Sequence, residues 1–249
     1  MIDQEFQKAY NNLESKMIKQ AEKDGTVYVP NPRPIAPVDY VFICMEPSFG
    51  KWAKSNSMAE SKIADGFLNF LNSMEDFLLH YCANTYLCND GEHYHITDIS
   101  KGAMLVKNAN IDRNKRYDKW YPVLREELEL VAKPGARIIT VGRKVSEFLN
   151  RKSFEISFTN IIHYSGQAAK ARNDGIKGNE ESFNKFKDEV TKEHIISNAE
   201  KVLKDSRISD KFYNETMARL KKRKLTTSRK KLIFIYKQEL NNLAFRHSI

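Results

Sequence analysis

The sequence predicts an α/β fold, with a doubly wound, mostly parallel central sheet and helices on both faces. Short apolar segments typical of buried strands alternate with longer segments of helical periodicity, which is the pattern of parallel sheets. The chain of 249 residues is also long enough to bury a sizeable core. We further expect a helical, basic extension in the C-terminal part.

The N-terminal part predicts a helix followed by an extended arm. Four apolar residues recur there at helical spacing: Phe6, Tyr10, Leu13 and Met17. Gly25 ends this pattern, and the segment VPNPRPIAPVD that follows is predicted to be extended because it contains four prolines. Residues 1–37 are therefore predicted to form an N-terminal helix and a Pro-rich arm.

Residues 38–179 are predicted to form the α/β core. The apolar run at residues 39–45 is typical of a buried central strand, and Glu46–Gly50 predicts a tight loop at its carboxyl end. In open α/β sheets, ligands bind outside that end of the strands. Further strands are predicted at residues 94–100, 137–142 and 154–162, and helices at residues 64–84, 121–132 and 143–150.

Residues 180–249 are predicted to form a helical basic extension packed on the core. Two basic clusters lie in it, Lys221–Lys224 and Arg229–Lys231. We interpret these clusters as a solvated helix face, and the alternative is that they extend an electrostatic footprint for DNA. The apolar segment Lys231–Tyr236 favours a last helix, with an edge strand as the alternative.

Composition limits the partners and the compartment. The net charge of +9 favours a polyanion such as DNA or RNA, and the alternative is a basic surface without a partner. Cys44, Cys82 and Cys88 lack the paired spacing of disulfides or zinc sites, which favours a reducing cytoplasm. The sequence shows neither a membrane-spanning apolar run nor the apolar core of a signal peptide. We expect no metal, no cofactor, no membrane and no obligate protein partner.

Four segments in order resemble motifs of the uracil-DNA glycosylase superfamily. VFICMEPS, ending at Ser48, is similar to the strand and water-activating loop GQDPY, GEAPG or GxNPG, and YHITDISK, ending at Lys101, to YITNxxK. Residues 124–142 resemble the pattern ELxxxxPxxIxxLG, and HYSG at residues 163–166 resembles HPSG. The resemblance covers residues 38–170 and departs from the known branches, with Cys44 replacing Gly and Tyr164 replacing Pro. Three cysteines cannot supply the ligands of the iron–sulfur branch.

The resemblance implies an enzyme that flips a nucleotide out of DNA and hydrolyses its N-glycosidic bond. It makes Glu46 the general base and the electrostatic support of the cation-like sugar, with an exposed loop residue as the alternative. His163 is predicted to donate a hydrogen bond to O2 of the leaving pyrimidine, unless it is only a satisfied loop histidine. No lysine or N-terminal proline suits a Schiff base, so we expect an abasic product without strand cleavage.

Two residues concern the identity of the base. Asp98 stands where the superfamily commonly has Asn, and an ionised carboxylate only accepts hydrogen bonds, which favours the amino group of a cytosine. The alternatives are a helix cap or a pair with Lys101. Ser48 replaces a Tyr that blocks substituents at C5, which favours a 5-substituted base unless Phe49 or Trp52 fills that space. Either aromatic is also predicted to stack on the flipped base.

The segment after His163 is predicted to hold the DNA. Gln167 or Tyr164 would fill the vacated stack, and further contacts to DNA are expected from Lys101, Ser165, Lys170 and Arg172. The sharper hypothesis is removal of a 5-modified cytosine from phage DNA, similar to a phage-defence type of glycosylase acting on glucosylated hydroxymethylcytosine. The alternatives are repair of uracil or another deaminated base, and a catalytically inactive nucleic-acid-binding protein. A nucleotide-binding protein is disfavoured because no glycine-rich phosphate loop is present.

Overall fold

A computed structural model describes residues 4–50 and 52–244, apart from the side chain of Gln167. The chain is α/β, as predicted, with a four-stranded parallel sheet flanked by helices. The strands are β1 Val27–Tyr28, β2 Val38–Cys44, β3 Tyr94–Asp98, β4 Gly102–Ala103, β5 Ala132–Val141 and β6 Phe158–Ile161. The helices are α1 Gln4–Lys23, α2 Asn56–Ala64, α3 Met74–Tyr86, α4 Arg113–Val131, α5 Arg143–Arg151, α6 Ala169–Asp174, α7 Glu180–Phe186, α8 Lys192–Asp205, α9 Asp210–Lys222 and α10 Thr227–Ala244.

The chain folds into two compact units, each built from separate stretches of sequence. Unit 1 contains the residues up to Asn69 together with His93–Asn160, and unit 2 contains Phe70–Glu92 together with the residues from Ile161 onward. Unit 1 therefore holds the strands that pair around β2, and unit 2 holds α3 and α6–α10. The three segments expected from the sequence divide the chain differently and stay a prediction.

The sheet has the strand order β3-β2-β5-β6. Strand β2 pairs in parallel with β3 on one side and with β5 on the other, and Cys44 lies opposite Asp98. The chain leaves β2 for β3 and later returns to the other side of β2 as β5. The strand order thus reverses between β2 and β5, which is the topological switch point where open α/β sheets bind ligands.

One face of this sheet is covered by α4 and α5. Val41 and Ile43 of β2 are fully buried there, in one apolar cluster with Leu124 of α4 and Phe148 of α5. Their burial follows from the continuous apolar run of a strand that is covered on both faces. The cluster fixes α4 against β2, so the first turns of α4 lie near the carboxyl end of that strand.

Several boundaries in unit 1 differ from the predicted ones. The helix expected at residues 121–132 begins earlier, at Arg113, and continues past Pro122. Helix α4 ends at Val131 and β5 begins at Ala132, and Lys133–Gly135 fall where the pairing of β5 with β2 shifts its register. Strands β1 and β4 pair in an antiparallel ribbon that no pattern predicted, because each contributes only two residues.

The single helix predicted at residues 64–84 is wrong in its first half. The chain turns at Gly66 and Phe70, which have φ angles of 94° and 58°. Helix α3 begins only after Ser73, whose side chain accepts a hydrogen bond from the backbone of Asp76 in a capping box. Phe67, which shares the helical spacing, belongs to the turn, so its apolar character misled the prediction.

Unit 2 is built around α3, which packs against α8 and α10. Residues 231–236 lie in α10, which confirms the helix favoured over a strand. The Phe234 ring of this helix meets Phe183 and Phe186 of α7 at 5.7 and 5.3 Å between ring centroids. In the described part of the chain, no helix is long and apolar enough to cross a membrane.

Candidate functional site

Glu46 lies just beyond β2, and its side chain is only 3% exposed. Arg113 donates from Nε and Nη2 to Oε1 of Glu46 at 3.1 and 2.6 Å. The hydroxyl of Tyr117 donates to the other oxygen, Oε2. The alternative of an exposed loop glutamate is therefore wrong, because this carboxylate is buried and held from both sides.

Arg113 and Tyr117 lie one turn apart on α4, so both reach Glu46 from the same helix face. Burial raises the pKa of Tyr117 well above its usual range, and the charge of Glu46 raises it further. Tyr117 therefore stays a neutral donor. A carboxylate offers about four acceptor positions, so Glu46 retains room to accept from a water.

Asp98 ends β3, next to Glu46 across the ends of the two parallel strands. It is 2% exposed, and Asn69 Nδ2 donates to its Oδ2 at 2.7 Å. Burial raises the pKa of Asp98 well above its usual range; Lys101 opposes this shift and Glu46 adds to it. The raised pKa favours the neutral carboxyl, which can donate as well as accept, whereas the ionised form only accepts.

Glu127 of α4 is fully buried and contacts residues of β3 and of the segment that follows β3. It forms an ion pair with Lys101, and it accepts from Thr97 Oγ1 at 2.9 Å and lies 3.1 Å from His95 Nε2. Burial acts to raise the pKa of Glu127, but Lys101 and His95 lower it to about 2. These four side chains therefore form a buried, fully paired ionic cluster, which we call the Glu127 cluster.

Lys101 is therefore a structural residue. It is 1% exposed, and besides Glu127 it contacts the backbone carbonyl of Asp98, to which its Nζ donates at 2.6 Å. The predicted contact of Lys101 with DNA phosphates is incompatible with this burial. The alternative pair between Lys101 and Asp98 consists of that bond to the backbone carbonyl and of the positive charge of Lys101, which opposes the rise in the pKa of Asp98.

Two asparagines connect Asp98 to the Glu127 cluster. Asn69 Nδ2 donates to Oδ1 of Asn31 at 3.1 Å, and Asn31 Nδ2 approaches Thr97 Oγ1 at 3.3 Å. Sequence reasoning missed both asparagines, because they come from loops far apart in the chain. It also missed Glu127, Arg113 and Tyr117, and the last two lie in the part of α4 that precedes the predicted helix.

The aromatic residues of the loop after β2 pack mostly against each other. Phe49 is 1% exposed, so it offers no face to a base, and its predicted stacking does not fit the structure. Trp52 stacks on Phe67 with ring centroids 4.1 Å apart and donates from Nε1 to the carbonyl of Ser48 at 2.8 Å. Ser48 is half-buried, and its backbone forms an isolated parallel β-bridge with Met104. Trp52 also meets Phe49 edge to face at 5.6 Å between ring centroids, and because it is half-buried it stays the aromatic candidate.

His163 begins a self-contained loop of unit 2. Its Nδ1 accepts a hydrogen bond from the backbone of Ser165 at 3.0 Å, and its ring stacks on Tyr164 with centroids 4.7 Å apart. Burial lowers the pKa of His163 to about 4, and the positive charge of Arg172 contributes. The imidazole is therefore neutral at physiological pH, with its proton on Nε2, where it can donate.

The other residues predicted to hold DNA differ in accessibility. Arg172 is 5% exposed and donates from Nη2 to the carbonyl of Ser165 at 3.0 Å, so it braces the loop and cannot reach a phosphate. Lys170 is exposed, and Tyr164 and Ser165 are half-buried. The side chain of Gln167 lies outside the described residues, and its predicted insertion into the duplex stays a prediction.

Comparison with known proteins gives no family for this chain. Neither a protein-family model, nor a curated protein, nor a solved structure matches it. Within residues 4–50 and 52–244, no group of three or more His, Cys, Asp or Glu side chains could hold a metal ion.

Replacing Glu127 by Gln should destabilise the protein by about 3 kcal/mol or more, because Lys101 would be left buried without its counter-charge. The pKa of Glu127 is lowered from 4.5 to about 2, so its stabilisation is present above pH 4.5 and disappears as pH falls toward 2. Urea denaturation between pH 7 and pH 3 measures both effects.

The matched control for that variant is Glu126→Gln, one residue earlier on the same helix. Glu126 pairs with Lys16, and both side chains are exposed, so its loss should cost less than about 1 kcal/mol. Equal unfolding free energies for the two variants would show that the Glu127 cluster is not the structural centre that its burial indicates.

The neutral state of His163 is directly measurable. Long-range ¹H–¹⁵N correlation spectra at pH 7 should show a neutral imidazole with its proton on Nε2, and the titration midpoint should lie near pH 4. His163→Ala identifies the resonance. Because the folded pKa lies below the ordinary value of 6.5, His163 favours the folded state above that pH and loses this contribution as pH falls. A titration midpoint at pH 6.5 or above would contradict the assignment of His163 as a neutral hydrogen-bond donor.

Proposed function

We propose that this chain is a monofunctional DNA glycosylase, with a divergent form of the uracil-DNA glycosylase fold. It would flip a modified pyrimidine out of DNA and hydrolyse its N-glycosidic bond, leaving an abasic site. The observation that best supports the proposal is the placement of Glu46. This carboxylate is buried and oriented at the carboxyl end of β2, beside the topological switch point of the sheet.

The chemistry of base removal suits a carboxylate in that state. When the C1′–N bond breaks, its electrons leave with the base and the sugar becomes cation-like. A water oxygen then bonds to C1′, and Glu46 accepts the proton that the water loses. Since Arg113 shares the charge of Glu46, the main contributions of Glu46 are a fixed position for the water and negative charge near the sugar.

Asp98 is proposed to recognise the base once DNA binding uncovers its carboxyl, since only 2% of the residue is exposed in the free protein. Its raised pKa widens the range of substrates. An ionised carboxylate would accept only from the amino group of a cytosine. A neutral carboxyl accepts from that amino group and donates to N3 of cytosine, and it equally accepts from N3–H and donates to O4 of uracil. Asp98 therefore does not exclude uracil. The small side chain of Ser48 keeps a 5-substituted cytosine, such as glucosylated hydroxymethylcytosine, as the first substrate, with uracil as the second.

His163 is proposed to donate from Nε2 to O2 of the leaving pyrimidine. Its neutral state supports this role, because a neutral imidazole donor can stabilise negative charge without first losing a proton. The hydrogen bond from Ser165 to Nδ1 fixes the tautomer that the role requires.

A catalytically inactive nucleic-acid-binding protein is the second candidate. The ion pair between Arg113 and Glu46 favours it, since a buried carboxylate held by an arginine can serve structure alone. DNA binding without base release is the outcome that distinguishes this candidate from the enzyme.

Base release tests the proposal. Oligonucleotides carrying uracil, cytosine, 5-hydroxymethylcytosine or its glucosylated form are incubated with the protein and treated with alkali, which breaks DNA at abasic sites. We expect strand breaks at the modified cytosine. Glu46→Gln should slow them by about 100-fold or more, because it removes the negative charge near the sugar while keeping the side-chain shape.

Glu60→Gln is the matched control, because Glu60 is an exposed carboxylate of the same unit and should not affect the rate. Release of uracil alone would support the glycosylase activity and would rule out a modified cytosine as the substrate. If no substrate releases its base while DNA still binds, the glycosylase proposal is wrong and the inactive binding protein takes its place.

A further inference from the structure

Unit 2 contains an open, shallow pocket of about 500 Å³ that is lined mostly by cationic side chains. It lies where α8 begins, α9 ends and α10 begins. Five cationic residues line it, and we call it the basic pocket: Lys192, Lys222, Arg223, Lys224 and Lys230. Their side chains come from three helices and one connecting loop, so the fold brings together charges that are distant in sequence.

The charge of the basic pocket is not neutralised by the protein. Its lining contains no carboxylate, and in the described part of the chain Lys222, Arg223 and Lys224 are exposed and form no ion pair. Lys192 and Lys230 donate to the backbone carbonyls of the residues Lys221 and Lys187. Those contacts orient the two ammonium groups without removing their charge.

The neighbouring basic cluster, Arg229–Lys231, provides a contrast. Arg229 donates to Oε1 of Glu75 at 2.9 and 2.7 Å, and Lys231 donates to Asn173 at 2.9 Å. These side chains therefore hold the helices of unit 2 together. Of this second cluster only Lys230 lines the basic pocket, whereas Lys222, Arg223 and Lys224 of the first cluster all line it.

Helix stabilisation explains only part of the basic pocket. Cations in the last turn of α9 interact favourably with the negative end of the helix, which accounts for Lys222. It does not account for Lys192 and Lys230, which lie in the first turns of α8 and α10, where positive charge is unfavourable. Five like charges around one cavity therefore suit a ligand that brings several negative charges.

The remaining lining residues indicate how that ligand is recognised. They are Thr191 and Leu225, which offer one hydroxyl and one aliphatic side chain. The lining contains no aromatic ring on which a base could stack and no acidic or amide group that could bind a base edge or a ribose. Recognition would depend on phosphate charge alone.

We propose that the basic pocket binds the phosphodiester backbone of DNA, independently of sequence. This inference rests on the proposed function for its choice of DNA, and it names the place where unit 2 contacts the backbone. It does not require any base to be cut. The basic cluster at Lys221–Lys224 thus contributes a DNA footprint and is more than a solvated helix face.

The test measures binding of the full chain to a fluorescent DNA duplex without any modified base or uracil. The pocket variant Lys222→Gln, Arg223→Gln, Lys224→Gln is compared with the control variant Lys201→Gln, Lys204→Gln, Arg207→Gln. All six residues are exposed, and both variants lose the same net charge within unit 2. Equal melting temperatures of the variants and the parent protein confirm that the fold is kept.

We expect the pocket variant to bind about tenfold more weakly than the control variant. The slope of log affinity against log salt concentration should fall by about 1 for each phosphate that the variant no longer binds. Equal affinities for the two variants would overturn the proposal. A pocket-specific drop in binding of inorganic tripolyphosphate, with DNA binding unchanged, would also overturn it and indicate a site for small polyphosphates. If no base is released but the pocket variant still binds DNA more weakly than the control variant, only the glycosylase activity is rejected.

Discussion

Glu127 is a carboxylate without solvent contact, and the fold of unit 1 depends on how its charge is satisfied. Lys101, His95 and Thr97 come from β3 and the segment after it, whereas Glu127 comes from the middle of α4. An unpaired charge at this depth would cost several kcal/mol, so helix and strand have one favourable register. The apolar cluster around Leu124 sets the distance between them, and the ionic cluster sets the register.

The candidate site follows from that register. Once Glu127 is fixed, Arg113 and Tyr117, which precede it on α4, reach the carboxylate of Glu46. The strand pairing then places Asp98 beside Glu46, with opposite electrostatic surroundings: an arginine partner for Glu46 and a raised pKa for Asp98. Two carboxyl groups in such different surroundings are typical of sites that separate charge stabilisation from hydrogen-bond donation.

The sequence predicted which residues lie near the strand ends better than it predicted the side chains that contact them. Glu46 could be assigned to the end of a buried strand because the apolar run and the loop residues that follow it are local features, and Asp98 could be assigned to a strand that was predicted to continue to residue 100. Glu127 could not be assigned, since the approach of α4 depends on tertiary packing. The burial of single side chains could not be predicted either, because a lysine or an aromatic residue has the same local sequence pattern whether it is exposed or buried. For that reason Lys101 was expected to contact DNA and Phe49 to stack on the flipped base, and both instead lie in the interior.

The proposed role of Glu46 is to stabilise positive charge on a deoxyribose. The most direct test of this role is the affinity for DNA with a pyrrolidine in place of one deoxyribose, which carries a positive charge there, compared with DNA carrying a neutral tetrahydrofuran. We expect the protein to bind the pyrrolidine duplex about tenfold or more tightly, and Glu46→Gln to abolish this preference. Equal affinity for the two duplexes, or a preference that persists in the variant, would contradict the assignment of Glu46.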